Sequence, residues 1–328
     1  MVGSLIKLIF GINLFVSLLL AVLLSSVYLI KGGYKSYLYT DVIQFFIMFT
    51  GFIVIVLVSV QDLGGYNYLE ANLPYSHLNF FGSASPVYII VWFLIALWTF
   101  ADPGFHQRCY AAKDSKTARN GILISVLFWA LFDFLTTTTG LYSKAALPDL
   151  SNPVLAFPLY AEKILGSGLK GIFYAALFAT ILSTSNSFLF LSATTFGRDF
   201  VSKIKKEKED KNLPVYTRIG VLVSGIIAIL LAYFIQSVIS LWYLIGSICI
   251  PGIIFLIFGA YIPKMKISKK YAVIEIIAGV CFSFVWIFLR ERLMNSWLYE
   301  VEPMIVGLIA VVIIHSIGMI NRQRVLSS

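Results

Sequence analysis

The stretch FATILSTSNSFLFLSATTFGRDF, Phe178 to Phe200, decides how the chain is read. It lies in an apolar run over roughly 168–196, and a helix needs about 20 such residues to cross a bilayer. Yet its middle is Ser183-Thr184-Ser185-Asn186-Ser187, five hydrogen-bonding side chains in succession. Thr180, Ser183, Thr184 and Ser187 stand at i, i+3, i+4 and i+7, so a helix places them on one face. At about 1.5 Å of rise per residue, the stripe falls near the middle of the membrane. Hydroxyls at that depth have two uses. They allow close helix packing while bonding back to the i−4 carbonyl, or they surround a dehydrated cation, which needs several oxygens. The Thr180 carbonyl with the Ser183 and Thr184 hydroxyls is a compact oxygen supply for a monovalent ion. One helix cannot close such a shell, so a second, broken helix must add carbonyls.

The rest of the chain suits a membrane setting. Of its 328 residues, 59% are hydrophobic and 12% charged, against about 25% charged in soluble domains. The fold class expected is an all-α polytopic membrane protein. A net charge of +9 raises the question of nucleic acid, but the basic residues gather in alternate loops, as membrane topology requires, and nucleic acid is set aside. Cys109, Cys249 and Cys281 follow no metal-ligand spacing and read as packing thiols. No P-loop, HExxH or GxSxG motif occurs. An intramembrane enzyme using Asp133 or Asp102 as acid or base lacks an accompanying nucleophile or metal constellation.

About nine spans are expected, at roughly 4–30, 38–60, 86–101, 121–142, 168–196, 215–235, 239–262, 271–289 and 303–321. Arg108, Lys113, Lys116 and Arg119 mark one cytoplasmic loop, and Lys264, Lys266, Lys269 and Lys270 another. Between them, the loop over 197–218 holds Arg198, Lys203, Lys205, Lys206, Lys208, Lys211 and Arg218, and its Lys203–Pro214 run reads as solvated. These loops set a multi-pass protein of the cell membrane with a cytoplasmic C-terminus. The first span reads as a transmembrane helix, because its apolar stretch exceeds a signal peptide's and Lys31 and Lys35 follow it. It begins so close to residue 1 that a missing upstream segment is expected.

Four further polar features stand out. Asp41 falls in the first turn of the second span, as a helix-dipole partner capped by Thr40 or as a carboxylate on the inner exit path of a cation. Asp102-Pro103-Gly104 ends the third span where a helix breaks or bends, and His106 then reads as a solvated interface residue. Asp133 lies deep in the fourth span, facing the bundle interior or bonded to the Thr136–Thr139 run. Glu275, one turn past Lys269-Lys270, is close enough to reach the interface.

Three segments, GGYKSYLYTDVIQ, ADPGFHQRCYAAKD and FATILSTSNSFLFLSATTFGRD, together resemble the sodium:solute symporter family, in order and spacing. The resemblance implies a leucine-transporter-type inverted-repeat fold, N-terminally truncated, in a single transmembrane domain over 1–328. Within it, 1–60 holds the last two helices of the first repeat, 86–262 the second five-helix repeat, and 271–321 two additional helices. It implies sodium as coupling ion, bound by Thr180, Ser183 and Thr184, with Asp41 on the exit path. Trp98 is then a gate candidate, and Trp242 and Tyr243 are substrate contacts, with Asp102 and Asp133 further candidates. The function implied is symport of a small organic solute. The alternative is a non-transporting fragment or a scaffold subunit that needs a missing N-terminal segment or partner chain.

Overall fold

The computed structural model describes residues 1–82, 84–206, 212–235, 237–293 and 297–327, with the backbone alone at 28, 31, 238, 297, 300 and 323–327. Lys208 and Lys211, expected in the solvated basic loop, lie outside the described residues. No strand occurs among those described. Eight of their helices are long and apolar enough to cross a membrane: Gly32–Leu63, Pro86–Ala111, Ser115–Ala146, Ser167–Ser202, Leu213–Phe234, Ile239–Tyr261, Lys269–Glu291 and Pro303–Arg322. These correspond to the second through ninth expected spans.

The first expected span is not one helix. α1 (Val2–Phe10) stops at Gly11, whose φ of 67° closes a left-handed cap. Asn13 then accepts a hydrogen bond from the Val16 amide at 2.9 Å and starts α2 (Leu14–Leu63). Three residues, Gly-Ile-Asn, are too few and too apolar to interrupt a hydropathy profile, so the break was hidden. α2 in turn has a non-helical residue at Gly33, with φ 58° and ψ −150°. That backbone is open to glycine and closed to residues with a Cβ.

The chain divides into two compact units. The first comprises Met1–Gly82 and Arg108–Gln236. It holds α1, α2, the short α3 (Tyr66–Asn72) and α4 (Tyr75–Leu78), then α8 (Ser115–Ala146), α9 (Ala156–Ile164), α10 (Ser167–Thr194) and α11 (Leu213–Phe234). α10 lies along α2. At Gly51 a Cβ would stand 2.2 Å from the Ala176 Cβ, so glycine is what lets these helices approach. Aromatic rings fill the space beside that contact. Phe52 meets Phe132, Phe157 and Phe173 with ring centroids 5.0, 5.6 and 5.2 Å away. Such pairs each add about 0.5–1.5 kcal/mol beyond area burial. Polar groups in this core are paired: Ser59 with Tyr160 at 2.5 Å, and the Tyr142 hydroxyl donating to the Gly64 carbonyl at 2.6 Å.

The second unit comprises Ser83–Gln107 and Ser237–Ser328. α5 (Pro86–Ile95) and α6 (Trp98–Ala101) lead into α7 (Pro103–Ala111), whose residues up to Gln107 belong to this unit, and α12 (Val238–Tyr261), α13 (Lys269–Glu291) and α14 (Pro303–Ser327) complete it. Val91, Ile95, Ile250, Ile254 and Met304 form its apolar centre. The expected break at Asp102 is present: its backbone is extended, and its Oδ1 accepts the Gly104 amide at 2.6 Å with Pro103 at the first helical position. His106 is not merely solvated. One ring nitrogen lies 2.8 Å from the Phe100 carbonyl and the other 3.1 Å from the Tyr261 hydroxyl.

Candidate functional site

α10 is a continuous helix through the hydroxyl stripe and passes into a π-helical segment at Thr195–Ser202. The Thr180 hydroxyl bonds back to the Ala176 carbonyl at 2.8 Å, and Thr184 points its hydroxyl at the Thr180 carbonyl at 3.4 Å. Both behave as intramembrane threonines do. Ser183 differs. Its hydroxyl donates to Asp41 Oδ1 at 2.8 Å. A hydroxyl carries one proton and two lone pairs. With the proton spent on Asp41, the Ser183 oxygen retains the lone pairs a cation requires.

Asp41 is held from a second side. Arg108 Nη2 lies 3.5 Å from its other oxygen and also donates to the Ser187 hydroxyl at 3.2 Å. The guanidinium stands over the Tyr37 ring, 5.8 Å from its centroid. The side chain of Asp41 is 18% exposed and that of Arg108 42%, so this pair is neither deeply buried nor freely solvated. Within the first unit it ties Arg108 to α2 and α10 at one point.

On the same two helices, Gln44 Oε1 and both Nδ2 and Oδ1 of Asn186, which is fully buried, are buried without a hydrogen-bond partner. Asn186 is one helical turn from Ser183, and Gln44 one turn from Asp41. Buried polar atoms are normally satisfied. The two orphaned amide oxygens on these helices are of a kind that suits a cation. Arg108, Tyr37 and Gln44 were not among the residues expected. Gln44 belongs to the Thr-Asp-x-x-Gln run and Arg108 to the Gln-Arg pair, so the motifs held the signal, but their meeting with Asp41 is a tertiary fact.

The other candidates fall elsewhere. In the second unit, Trp98 and Tyr243 pack against the Val91–Ile254 cluster, and Trp92 lies 6.1 Å from Trp242 and 6.3 Å from Tyr243 by ring centroids. The Tyr243 hydroxyl donates to Glu302, which also pairs with Arg290 at 2.8 Å. Asp133, expected to face an interior, is exposed on the first unit. The Thr136 hydroxyl bypasses its carboxylate and bonds to the Phe132 and Asp133 carbonyls at 3.0 and 3.1 Å. Position along a helix sets depth, not azimuth, and here the azimuth points outward. Glu275 does not reach the interface: it is fully buried against His315.

Among known proteins, the chain is similar to the sodium/pantothenate symporter of Haemophilus influenzae, 28% identical over 227 residues, covering 65% of this chain and 46% of that protein. It is similar to the osmoregulated proline transporter of Bacillus subtilis, 24% identical, over 96% of this chain and 66% of the relative. A sodium/proline symporter of Staphylococcus aureus is 24% identical over 92% of this chain and 62% of its own length. The chain thus spans between about half and two thirds of the relatives it matches. These relatives are transporters rather than enzymes. A solved structure, the substrate-bound outward-open state of a sodium-coupled sialic acid symporter, superposes with a TM-score of 0.75 at 21% identity, covering 97% of this chain and 69% of that one. It bears out the leucine-transporter-type fold. The family model that describes these proteins matches residues 1–279 continuously, and with the apolar spans and the hydroxyl-bearing α10 in place, this multi-pass membrane protein belongs to the sodium:solute symporter family.

Proposed function

We propose that the chain takes part in sodium-coupled symport of a small organic solute across the cell membrane, with its C-terminus in the cytoplasm. The observation that carries the reading is the Ser183–Asp41 hydrogen bond, which orients the hydroxyl's lone pairs for a cation. The Thr180 carbonyl and the Ser183 and Thr184 hydroxyls supply oxygens for sodium, the transported ion. Asp41 lies on its route to the cytoplasm. Further oxygens come from backbone carbonyls of a broken helix.

Solute is bound at the level of Trp98, Trp242 and Tyr243. The sodium/proline and sodium/pantothenate symporters named above support solutes of amino-acid or small carboxylate size. Asp102 serves as the cap that holds the α6–α7 bend. Asp133 is the weakest of the solute candidates, because its carboxylate points away from its own unit. Coupling follows from linkage: sodium and solute each favour one conformation, so each strengthens the other's binding.

Uptake of a labelled solute panel, with sodium or potassium outside, tests the reading. Sodium-dependent uptake that falls at least tenfold in both Ser183→Ala and Thr184→Ala is expected. Uptake indifferent to sodium and to both substitutions overturns it.

A further inference from the structure

We propose that Glu275 of α13 and His315 of α14 form a proton-binding site within the membrane-spanning part of the second unit, separate from the proposed sodium site. His315 Nδ1 lies 2.9 Å from Glu275 Oε2. The carboxylate is fully buried and the imidazole 95% buried, with side-chain exposures of 0% and 5%. Their remaining polar atoms, Glu275 Oε1 and His315 Nε2, are buried without a protein partner.

Charge bookkeeping identifies the ligand. With one proton between them, the groups are either carboxylate and imidazolium or carboxylic acid and neutral imidazole. Both forms are net neutral. Removing that proton leaves a lone negative charge, and adding another leaves a lone positive charge. An apolar surround penalises either. The site therefore favours one shared proton over none or two.

The surroundings support this count. From α12, Phe255 presents its ring 5.3 Å from the imidazole, and the Gly252 region abuts the backbone of Ile276, a Cβ on Gly252 falling 3.0 Å from the Ile276 carbonyl. From α13, the nearest titratable neighbour along the helix is Tyr271, one turn away, whose hydroxyl is engaged by Asn321. From α14, Arg322 lies two turns beyond His315 and has its Nη1 engaged by the Pro263 and Lys266 carbonyls at 2.7 Å each. Lys264, Lys266, Lys269 and Lys270 of the segment before and into α13 are exposed. Among the described residues, the ion pair recorded for Glu275 is the one with His315. Two ionisable side chains on adjacent membrane helices, each the other's partner, are the arrangement expected of an intramembrane proton site.

The test uses the full chain in lipid vesicles with nitrogen-15 labelled histidine. The chain has three histidines, and exposed His77 on α4 serves as the internal reference. Over the pH range in which the His77 resonances move, the His315 resonances are expected to stay fixed, with a strongly deshielded proton between Nδ1 and the carboxyl that Glu275→Gln abolishes. In His315→Gln the carboxyl must hold the proton alone. Infrared spectra should then gain a buried carboxylic-acid carbonyl band that the Glu275→Gln/His315→Gln double variant lacks. His315 titrating together with His77, resonances unmoved by Glu275→Gln, or no acid band overturns the proposal. The wild-type titration decides the matter even where a variant fails to fold. Neither sodium nor solute enters the measurement, so its failure is distinct from failure of the symport reading.

Discussion

The Ser183 hydroxyl donates to Asp41 Oδ1 across 2.8 Å, joining α10 to α2 over 142 residues of chain. This one bond decides which part of the serine a cation meets. Asp41→Asn keeps an acceptor for the serine proton but removes the charge. Half-saturating sodium, read from the thermal stability of the purified chain, should rise about tenfold, or roughly 1.4 kcal/mol. Asp41→Ala also releases the serine proton and should weaken sodium further. Equal effects of the two variants would show that orientation of Ser183 contributes nothing.

Arg108 is a cation already tethered at Asp41, 3.5 Å away, so it competes with a mobile one. Arg108→Gln should tighten sodium binding several-fold in the same titration. It should also cost some stability, since a guanidinium over an aromatic ring contributes about 0.5–1 kcal/mol at a partly exposed site. Arg108→Lys keeps the charge without the planar fork and should fall between. Weaker sodium binding in Arg108→Gln would count against competition.

The α2–α10 contact predicts a rescue. Gly51→Ala places a methyl 2.2 Å from the Ala176 Cβ, and overpacking of that kind costs about 1–3 kcal/mol. Adding Ala176→Gly should restore most of the lost melting temperature. Failure of the double variant to recover would mean the strain lies elsewhere along the contact.

The short helix α9 carries a pH-sensitive tie to α10. Glu162 accepts from Lys170 at 2.6 Å and from the Tyr174 hydroxyl at 2.7 Å, and these bonds hold its carboxyl below the ordinary range. A lowered folded pKa means the contribution is complete above the unfolded value, about 4.3, and is lost as pH falls through the folded value. Exchange protection in α9, corrected for the intrinsic pH dependence of amide exchange, should therefore be flat near neutral pH and fall only under acid conditions beyond that of ordinary carboxylates. Glu162→Gln should remove the acid-dependent step.

Much of this architecture was legible in the sequence, because hydrocarbon imposes a simple rule on length and composition. The α10 stripe was legible from spacing alone, and the Asp102 break from proline chemistry. What escaped was azimuth and long-range pairing. Asp133 had the depth of an interior residue but turned outward. Glu275 had the sequence position of an interface residue but is buried by a histidine 40 residues later. The Gly11–Asn13 turn was masked by its own apolarity. Arg108 was counted as one of many loop charges, and only the fold brings it to Asp41.

Gly33 divides α2 into two limbs that need not share an axis. A residue with a Cβ in its backbone conformation costs about 1–3 kcal/mol. Gly33→Val therefore sets that strain against a straightened helix, which at about 1.5 Å per residue over 50 residues would be far longer than the hydrocarbon core is thick. One residue without a side chain thus lets a single long helix serve as two membrane-scale pieces.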